Sequence, residues 1–287
     1  KQFFGAMGPA VIGSAGVQIA LFADTIIASM LPTGGVSSIY YADRLYQLPI
    51  GVIGIAAGTV LLPEMSRRFA AGDAGGAFHA QNRTMAITIA LCAPFAVAFL
   101  MIPEAIMRGV FLRGQFTPEA AQASASVLAA YGSGLMAVVL IRAAVASFQS
   151  QGDTRTPMIV SLSAVGLNVV LKLFLYKPYG AAGLAFATSA GAWLNFAALT
   201  YLALRAGLMK PDRLLGRVGA AVGVATALLA VVATVWTIPA SALAGAIGAF
   251  QNEIELLILG LAGAAAYGLA LYAGLRFLGV PLRGKTP

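Results

Sequence analysis

Eight long apolar segments dominate the 287-residue sequence and constrain its fold more than any other feature. Each is long enough to cross the hydrocarbon of a bilayer, which takes roughly 20 residues of helix. A membrane β-barrel would instead show short segments of alternating hydrophobicity. The sequence therefore predicts an all-α polytopic membrane protein with about eight transmembrane helices, approximately at 8–31, 37–62, 84–103, 122–149, 157–177, 181–204, 216–238 and 254–278.

The polar residues exclude several classes of protein. Charged residues make up only 10% of the chain, against about 25% in soluble domains. Cys92 and His79 are the only cysteine and histidine, so we predict no disulfide, zinc site or Cys–His catalysis. We expect no enzyme activity and no cofactor. The sequence starts at Lys1 without a signal-peptide pattern, which indicates a trimmed or split chain.

The net charge of +8 would suggest a nucleic-acid partner in a soluble protein. Here basic loops are expected to set membrane orientation, and no nucleic-acid partner is predicted. If both ends are cytoplasmic, three Lys or Arg residues fall in the outer loops: Arg108, Arg113 and Lys177. Twelve fall on the cytoplasmic side: Lys1, Arg67, Arg68, Arg83, Arg155, Arg205, Lys210, Arg213, Arg217, Arg276, Arg283 and Lys285. This bias predicts that both ends of the chain are cytoplasmic.

Four ionisable residues lie within or near the predicted spans: Asp24, Arg44, Arg142 and Lys172. Such groups usually face a cavity or a partner because a lone charge in hydrocarbon is costly. The three basic side chains have an alternative, which is to extend to the interface. The short side chain of Asp24 favours a polar partner.

Depth along the helices groups some of these residues. Counting 1.5 Å per residue places one set roughly 8–11 Å below the outer boundary, namely Asp24, Arg44, Lys172 and Thr188. Asn168 lies one turn deeper than Lys172 on the same helix face, whereas Arg142 lies toward the cytoplasmic end of the fourth span. A polar layer shared by the first, second, fifth and sixth spans is typical of a transporter cavity.

Pro49 lies inside the second span, five residues after Arg44. Proline removes one helix hydrogen bond and can kink a span. The kink is either static or a hinge.

Three segments resemble a known family. They are YYADRLYQLPIGVIGIAAGTVLLPEMSR at 40–67, FLRGQFT at 111–117 with SFQSQGDTRTP at 147–157, and GLNVVLKLFLYKPYGAAGLAFATS at 166–189. Together they resemble the MurJ/MviN family of lipid II flippases, within the superfamily of multidrug, oligosaccharidyl-lipid and polysaccharide exporters. The first segment is the most specific for this family.

The resemblance implies a two-lobe exporter fold with two additional helices. Residues 1–208 would form the second six-helix lobe and 209–287 the additional pair, with the N-terminal lobe absent. The implied activity is the flipping of lipid II from the inner to the outer leaflet of the bacterial cytoplasmic membrane by alternating access. The implied partners are lipid II, an undecaprenyl-pyrophosphate-linked disaccharide peptide, and membrane lipids.

The resemblance also implies roles for single residues. Arg44 in ADRL matches a cavity arginine of the second lobe, and Arg142 matches a basic position in its fourth span. Asp43 and Gln47 accompany Arg44 as expected substrate-binding residues. Arginine suits a pyrophosphate because its guanidinium forms bidentate hydrogen bonds.

In some family members, groups on the first, fifth and sixth helices of this lobe are arranged to hold sodium. Asp24, Asn168 and Thr188 fit that arrangement, but Lys172 stands where an acidic ligand would be expected. We therefore predict that Asp24 and Lys172 form a buried ion pair in place of sodium. The alternative is that Lys172 extends outward and Asp24 meets Thr188 or Arg44.

Two other functions remain open at this point. One is the export of another polyprenyl-linked glycan or a drug by a relative in the same superfamily. The other is a membrane scaffold without transport, which the polar layer disfavours because a scaffold has no need of Asp24 and Arg44 at one depth.

Overall fold

The computed structural model describes residue 18 and residues 22–247 and 250–280. The described part is helical throughout, with no strand. Its first helix, α1, covers 22–29. The others are α2 (Gly35–Pro49), a π-helical segment (Ile50–Gly54), α3 (Ile55–Ala70), α4 (Ala74–Met101), α5 (Pro103–Phe111), α6 (Pro118–Gln149), α7 (Arg155–Arg205), α8 (Arg213–Val235), α9 (Thr237–Ile247) and α10 (Gln251–Phe277).

Six stretches of the described residues are long and apolar enough to cross a membrane. One of them, α7, has 51 residues, which is more than twice the length that one crossing needs. Gly180 interrupts it with φ 55° and ψ −135°, a conformation that favours glycine. The two arms, 155–179 and 181–205, correspond to the fifth and sixth predicted spans. Most of the first predicted span lies outside the described residues.

The helices extend further into the loops than hydropathy predicted. Residues 63–83 lie between the second and third predicted spans, yet α3 continues to Ala70 and α4 begins at Ala74. Glu64 pairs with Arg67 and Arg68 one turn ahead, and such pairs support a helix in water. Asp73 then caps α4 by accepting a hydrogen bond from the Gly76 amide. Charged side chains therefore prolong these helices beyond the apolar run.

Helix α6 occupies the centre of the molecule. Leu128, Leu135 and Val139 on this helix are fully buried, and their neighbours come from α2, α4, α5 and the second arm of α7. Toward the end of α6, Leu140 and Ala144 join a second cluster with Leu61 of α3. Because α6 is covered on most sides, its side chains contribute most of the core and reach little lipid.

The last helices pack on the outside of this core. Val222 and Leu229 of α8 and Tyr267 of α10 form a third buried cluster with α4. Helix α10 also contacts α5 closely, since a Cβ on Gly109 would lie 2.8 Å from the Cβ of Leu256. An apolar cavity of about 460 Å³ lies between α4, α8 and α10.

Large apolar side chains cover the outer surface of the described helices. Phe174 is 73% exposed, Leu261 72% and Val52 74%. In water such a surface would drive aggregation, whereas in a bilayer it contacts hydrocarbon of the same polarity. The exposed surface and the span lengths identify a polytopic helical membrane protein.

Candidate functional site

Arg44 lies on the exposed face of α2 and is positioned by a tyrosine one turn earlier. Its Nη2 donates a hydrogen bond to the hydroxyl of Tyr40 over 3.1 Å, and its guanidinium carbon lies 4.7 Å from the Tyr40 ring centroid. No carboxylate of the described residues lies within ion-pairing distance of Arg44. A guanidinium carries five N–H donors, so most of the Arg44 donors are available to an anion.

Asp43 and Gln47 lie on the adjacent face of α2. The side-chain amide of Gln47 donates to the Asp43 carboxylate one turn earlier. Asp43 is half-buried and Gln47 is exposed. The ADRLYQ segment thus carries two charged groups side by side. The Arg44 guanidinium is hydrogen-bonded to Tyr40, and the Asp43 carboxylate is hydrogen-bonded to Gln47.

Arg142 is exposed on α6. Its side chain packs against two glycines of the helix that runs continuously from Gly35 to Ala70 through α2, the π-helical segment and α3. A Cβ on Gly54 would lie 3.4 Å from the Arg142 Nε, and one on Gly58 3.5 Å from its Cδ. Gly54 follows Arg44 by ten residues, so the Arg142 side chain of α6 meets that helix on the order of 15 Å from Arg44. Arg44 and Arg142 therefore form two cationic positions at different depths and are not one cluster.

Lys172 and Asp24 are in direct contact. The Lys172 Nζ donates to the Asp24 Oδ1 over 2.6 Å, and the two residues are 148 positions apart in the chain. The Lys172 side chain is 6% exposed and that of Asp24 is 40% exposed. This ion pair joins α1 to the first arm of α7.

Among the described residues, Asn168 and Thr188 form no hydrogen bond with this pair or with each other. Asn168 packs against the second arm of α7, where a Cβ on Gly191 would lie 3.2 Å from its Nδ2. Its Oδ1 is buried and has no hydrogen-bond partner among the described residues. The Thr188 hydroxyl donates to the carbonyl of Leu184, one turn back in its own helix. The predicted set is therefore split into one bonded pair, Asp24 and Lys172, and two polar groups that do not bond to it.

Pro49 is buried at the end of α2, and a π-helical turn over Ile50–Gly54 follows it directly. A proline lacks the N–H that would donate to the carbonyl four residues back, and the chain accommodates this by widening the next turn. π-Turns inside α-helices are often found at functional sites. Hydropathy did not predict the π-turn, although the sequence carries a signal for it in Pro49 followed by Gly51 and Gly54.

Sequence reasoning also missed polar groups inside the bundle. The Gln81 amide donates to Ser147 and to the carbonyl of Ala143, and Asn82 donates to the carbonyl of Lys210 over 2.7 Å. Both residues lie between the second and third predicted spans, outside the apolar runs that hydropathy detects. These bonds tie α4 to α6 and to the segment before α8, and their role is structural.

The described residues contain no group of three or more His, Cys, Asp or Glu side chains that could hold a metal ion. His79 instead meets Asp212, with the His79 Nδ1 3.3 Å from the Asp212 Oδ2. Cys92 is a buried free thiol.

The fold matches known transporter structures. An inward closed conformation of the lipid II flippase MurJ aligns with a TM-score of 0.76 at 21% identity, over 96% of this chain and 55% of that one. An outward-facing multidrug resistance MATE family transporter aligns with a TM-score of 0.62 at 17% identity, over 93% and 63%. The described helices therefore share the fold of these two solved structures.

Sequence comparison identifies the family. The family profile described as "Lipid II flippase MurJ" matches residues 1–252. The probable lipid II flippase MurJ of Rhizobium meliloti (strain 1021) is 46% identical over 187 residues, 65% of this chain and 35% of that protein. The lipid II flippase MurJ of Burkholderia cenocepacia is 33% identical over 216 residues, 74% of this chain and 41% of that protein. The chain belongs to the lipid II flippase MurJ family, and its matches span roughly two fifths of these relatives' length.

Proposed function

We propose that this chain is the C-terminal portion of a transporter that flips lipid II from the inner to the outer leaflet. The observation that carries the proposal is Arg44, an exposed guanidinium in a membrane span with no carboxylate partner among the described residues. Maintaining such a cation in hydrocarbon is costly, and a membrane protein retains one where it meets a charged substrate. Family membership supplies the substrate class.

The chemistry of the substrate fits these groups. A polyprenyl pyrophosphate head is anionic and cannot enter bare hydrocarbon. Arg44 offers bidentate hydrogen bonds to phosphate oxygens, and Arg142 on the neighbouring helix α6 offers a second cation. Asp43 and Gln47 would contact the sugar or peptide hydroxyls and amides beside the phosphates. The reaction is transport, with no covalent bond made or broken.

The proposal also includes the membrane orientation of the chain, its division into a lobe and two additional helices, and a hinge at Pro49. The chain is a multi-pass protein of the bacterial cytoplasmic membrane with both ends cytoplasmic, because the basic loops favour that orientation. Residues 1–208 form the second lobe and 209–287 the additional helices. Pro49 and the π-turn after it act as a hinge at which α2 moves relative to α3, because the widened turn already lacks the regular hydrogen bonds.

The alternative function is the export of another polyprenyl-linked glycan or a drug. This chain shares its fold with a multidrug resistance transporter, and that likeness of fold favours the alternative. Rescue of flippase-depleted cells separates the two, since an exporter of another substrate leaves lipid II in the inner leaflet.

Substitution of Arg44 tests the proposal in the full-length transporter. Arg44→Ala is expected to abolish exposure of lipid II at the outer leaflet while protein abundance in the membrane stays normal. Arg44→Lys keeps the charge but loses the bidentate fork, so it should restore only part of the activity. Exposure of lipid II and protein abundance are measured in the same cells.

Arg205 provides a matched control. Its Nη1 donates to the hydroxyl of Tyr201 over 3.3 Å with the same spacing as Arg44 and Tyr40, but it lies at the end of α7. Arg205→Ala should leave flipping intact. Normal lipid II exposure in the Arg44→Ala cells would contradict the proposed role of Arg44.

A further inference from the structure

The polar pair between α1 and α7 bears on the ion dependence of this protein. The family resemblance implies a sodium site built from the helices that carry Asp24, Asn168 and Thr188. Sodium requires oxygen ligands, with carboxylates to balance its charge.

The contacts do not fit a bound cation. The Lys172 ammonium lies 2.6 Å from the Asp24 Oδ1, and an ammonium has three donors and no acceptor. The pair is already neutral, so adding sodium would leave a net positive charge at a site with a low dielectric constant, which is strongly unfavourable. Among the described residues, Asp24 is the only carboxylate that contacts this ammonium.

We propose that the Lys172 ammonium is a covalently attached substitute for the cation, so that the unmodified protein neither binds nor requires sodium at this site. Lys172 neutralises Asp24 permanently, as an ion would do only while bound. The pair also joins α1 to the first arm of α7 without depending on the ion concentration. This proposal concerns the ion dependence of the fold and does not rest on the identity of the transported substrate.

The unpartnered oxygen of Asn168 supports the same conclusion. Asn168 precedes Lys172 by one helical turn, and its Oδ1 is buried with no hydrogen-bond partner among the described residues. Buried acceptors without a donor are rare in proteins. A buried oxygen without a donor, one turn from the Lys172 ammonium, is expected where one acidic ligand of an oxygen-lined site has been replaced by lysine. Replacing Lys172 with an acidic residue should therefore complete a set of oxygen ligands.

A thermal double-mutant cycle on the purified protein in detergent tests the pair. Asp24→Asn leaves the buried Lys172 ammonium uncompensated and should lower the melting temperature by roughly 5–15 °C. Lys172→Met leaves the partly exposed Asp24 carboxylate without its partner and should lower it by less. The double variant should lose less than the sum of the two single variants. Lys177→Met, which removes an exposed ammonium from the same arm, is the matched control and should change little. Additive losses would overturn the pair.

Sodium dependence is measured in the same assay, in sodium chloride against choline chloride at equal ionic strength. The unmodified protein should melt at the same temperature in both salts. Lys172→Asp should become more stable in sodium, and the gain should disappear when Asp24→Asn or Asn168→Ala is added. If Lys172→Asp does not fold, Lys172→Ser provides space and one oxygen and should show a smaller gain.

Two results would reject the proposal. One is sodium-specific stabilisation of the unmodified protein. The other is a folded Lys172→Asp protein that melts at the same temperature in both salts. Because neither measurement involves transport, a failure of the lipid II assay leaves both outcomes interpretable.

Discussion

At the scale of single residues, charged side chains serve two different purposes in this chain. Those at helix ends, such as Asp73 and Asp212, cap the backbone amides of the next helix. Those within the spans, such as Arg44 and Lys172, lie in apolar stretches of the sequence, and each forms a side-chain hydrogen bond to one partner. Only the second kind is costly in a membrane, and we propose functions for these residues alone.

Asp153 shows the first kind and provides a pH-dependent test. Partial burial by itself raises the pKa of Asp153, but hydrogen bonds from the Thr156 and Arg155 amides outweigh it and leave the pKa below its usual value. Asp153→Ala removes the acceptor and should destabilise the protein by about 1 kcal/mol at neutral pH.

The sign of the pH effect follows from the lowered pKa. A depressed pKa means that the charged form of Asp153 stabilises the fold above its unfolded pKa of about 3.9, and that this stability is lost as the pH falls through the folded pKa. The stability difference between wild type and Asp153→Asn should therefore shrink below about pH 4. Melting temperatures in detergent across this range measure it, and a difference that does not change with pH would contradict the assignment.

At the scale of elements, two irregular turns interrupt the long helices. The π-turn after Pro49 separates α2 from α3 within one continuous rod. Gly180 turns the second arm of α7 back against the first, so that Asn195 donates to Ser161 across the two arms over 3.4 Å. Both turns contain a residue that a regular helix disfavours, proline in the first and glycine in the second.

Gly180 is predicted to be intolerant of a side chain for reasons of backbone conformation alone. No atom lies within 4 Å of a Cβ built on it, but its φ of 55° with ψ −135° is strained for other residues. Gly180→Ala should cost about 1–3 kcal/mol, measured by thermal unfolding in detergent.

Gly166 in the first arm is the matched control. It also has open space around its Cβ and lies in regular helix, so Gly166→Ala should be neutral or stabilising by up to about 1 kcal/mol. Equal effects of the two substitutions would show that the turn at Gly180 does not require glycine.

At the scale of the whole molecule, the helices form a bundle around α6 with α8 and α10 attached through α4 and α5. Alternating access requires two walls that move relative to each other around a shared site. The matched relatives are more than twice as long as the part of them that this chain matches. Under the proposed function, this chain supplies one wall of the cavity.

We therefore predict that residues 1–287 expressed alone do not flip lipid II. Without an opposing wall, Arg44 and its neighbours would face lipid or a second copy of the chain. Supplying a first six-helix lobe from a relative in the same cells should restore exposure of lipid II at the outer leaflet. Full activity of the chain alone would contradict the half-transporter proposal.

The sequence by itself was sufficient to predict the class of protein. Backbone amides cannot remain unpaired in hydrocarbon, so an apolar run of sufficient length must be a helix. The second to eighth predicted spans follow from that rule alone. Motifs such as ADRLYQLP identified the family before any contact was known. Charged residues inside these apolar runs, including Arg44 and Lys172, stand out in the sequence because such groups are costly in hydrocarbon.

Only the tertiary structure decided how the helices meet. Hydropathy could not predict the π-turn, the central position of α6 or the contact of Arg142 with Gly54 and Gly58, because these depend on the rotation and close approach of helices. Depth counting placed Asp24, Arg44 and Lys172 at one level, yet the fold brings Asp24 to Lys172 and leaves Arg44 on Tyr40. Helix length determines how deep a residue lies, whereas packing between helices determines which residue it contacts.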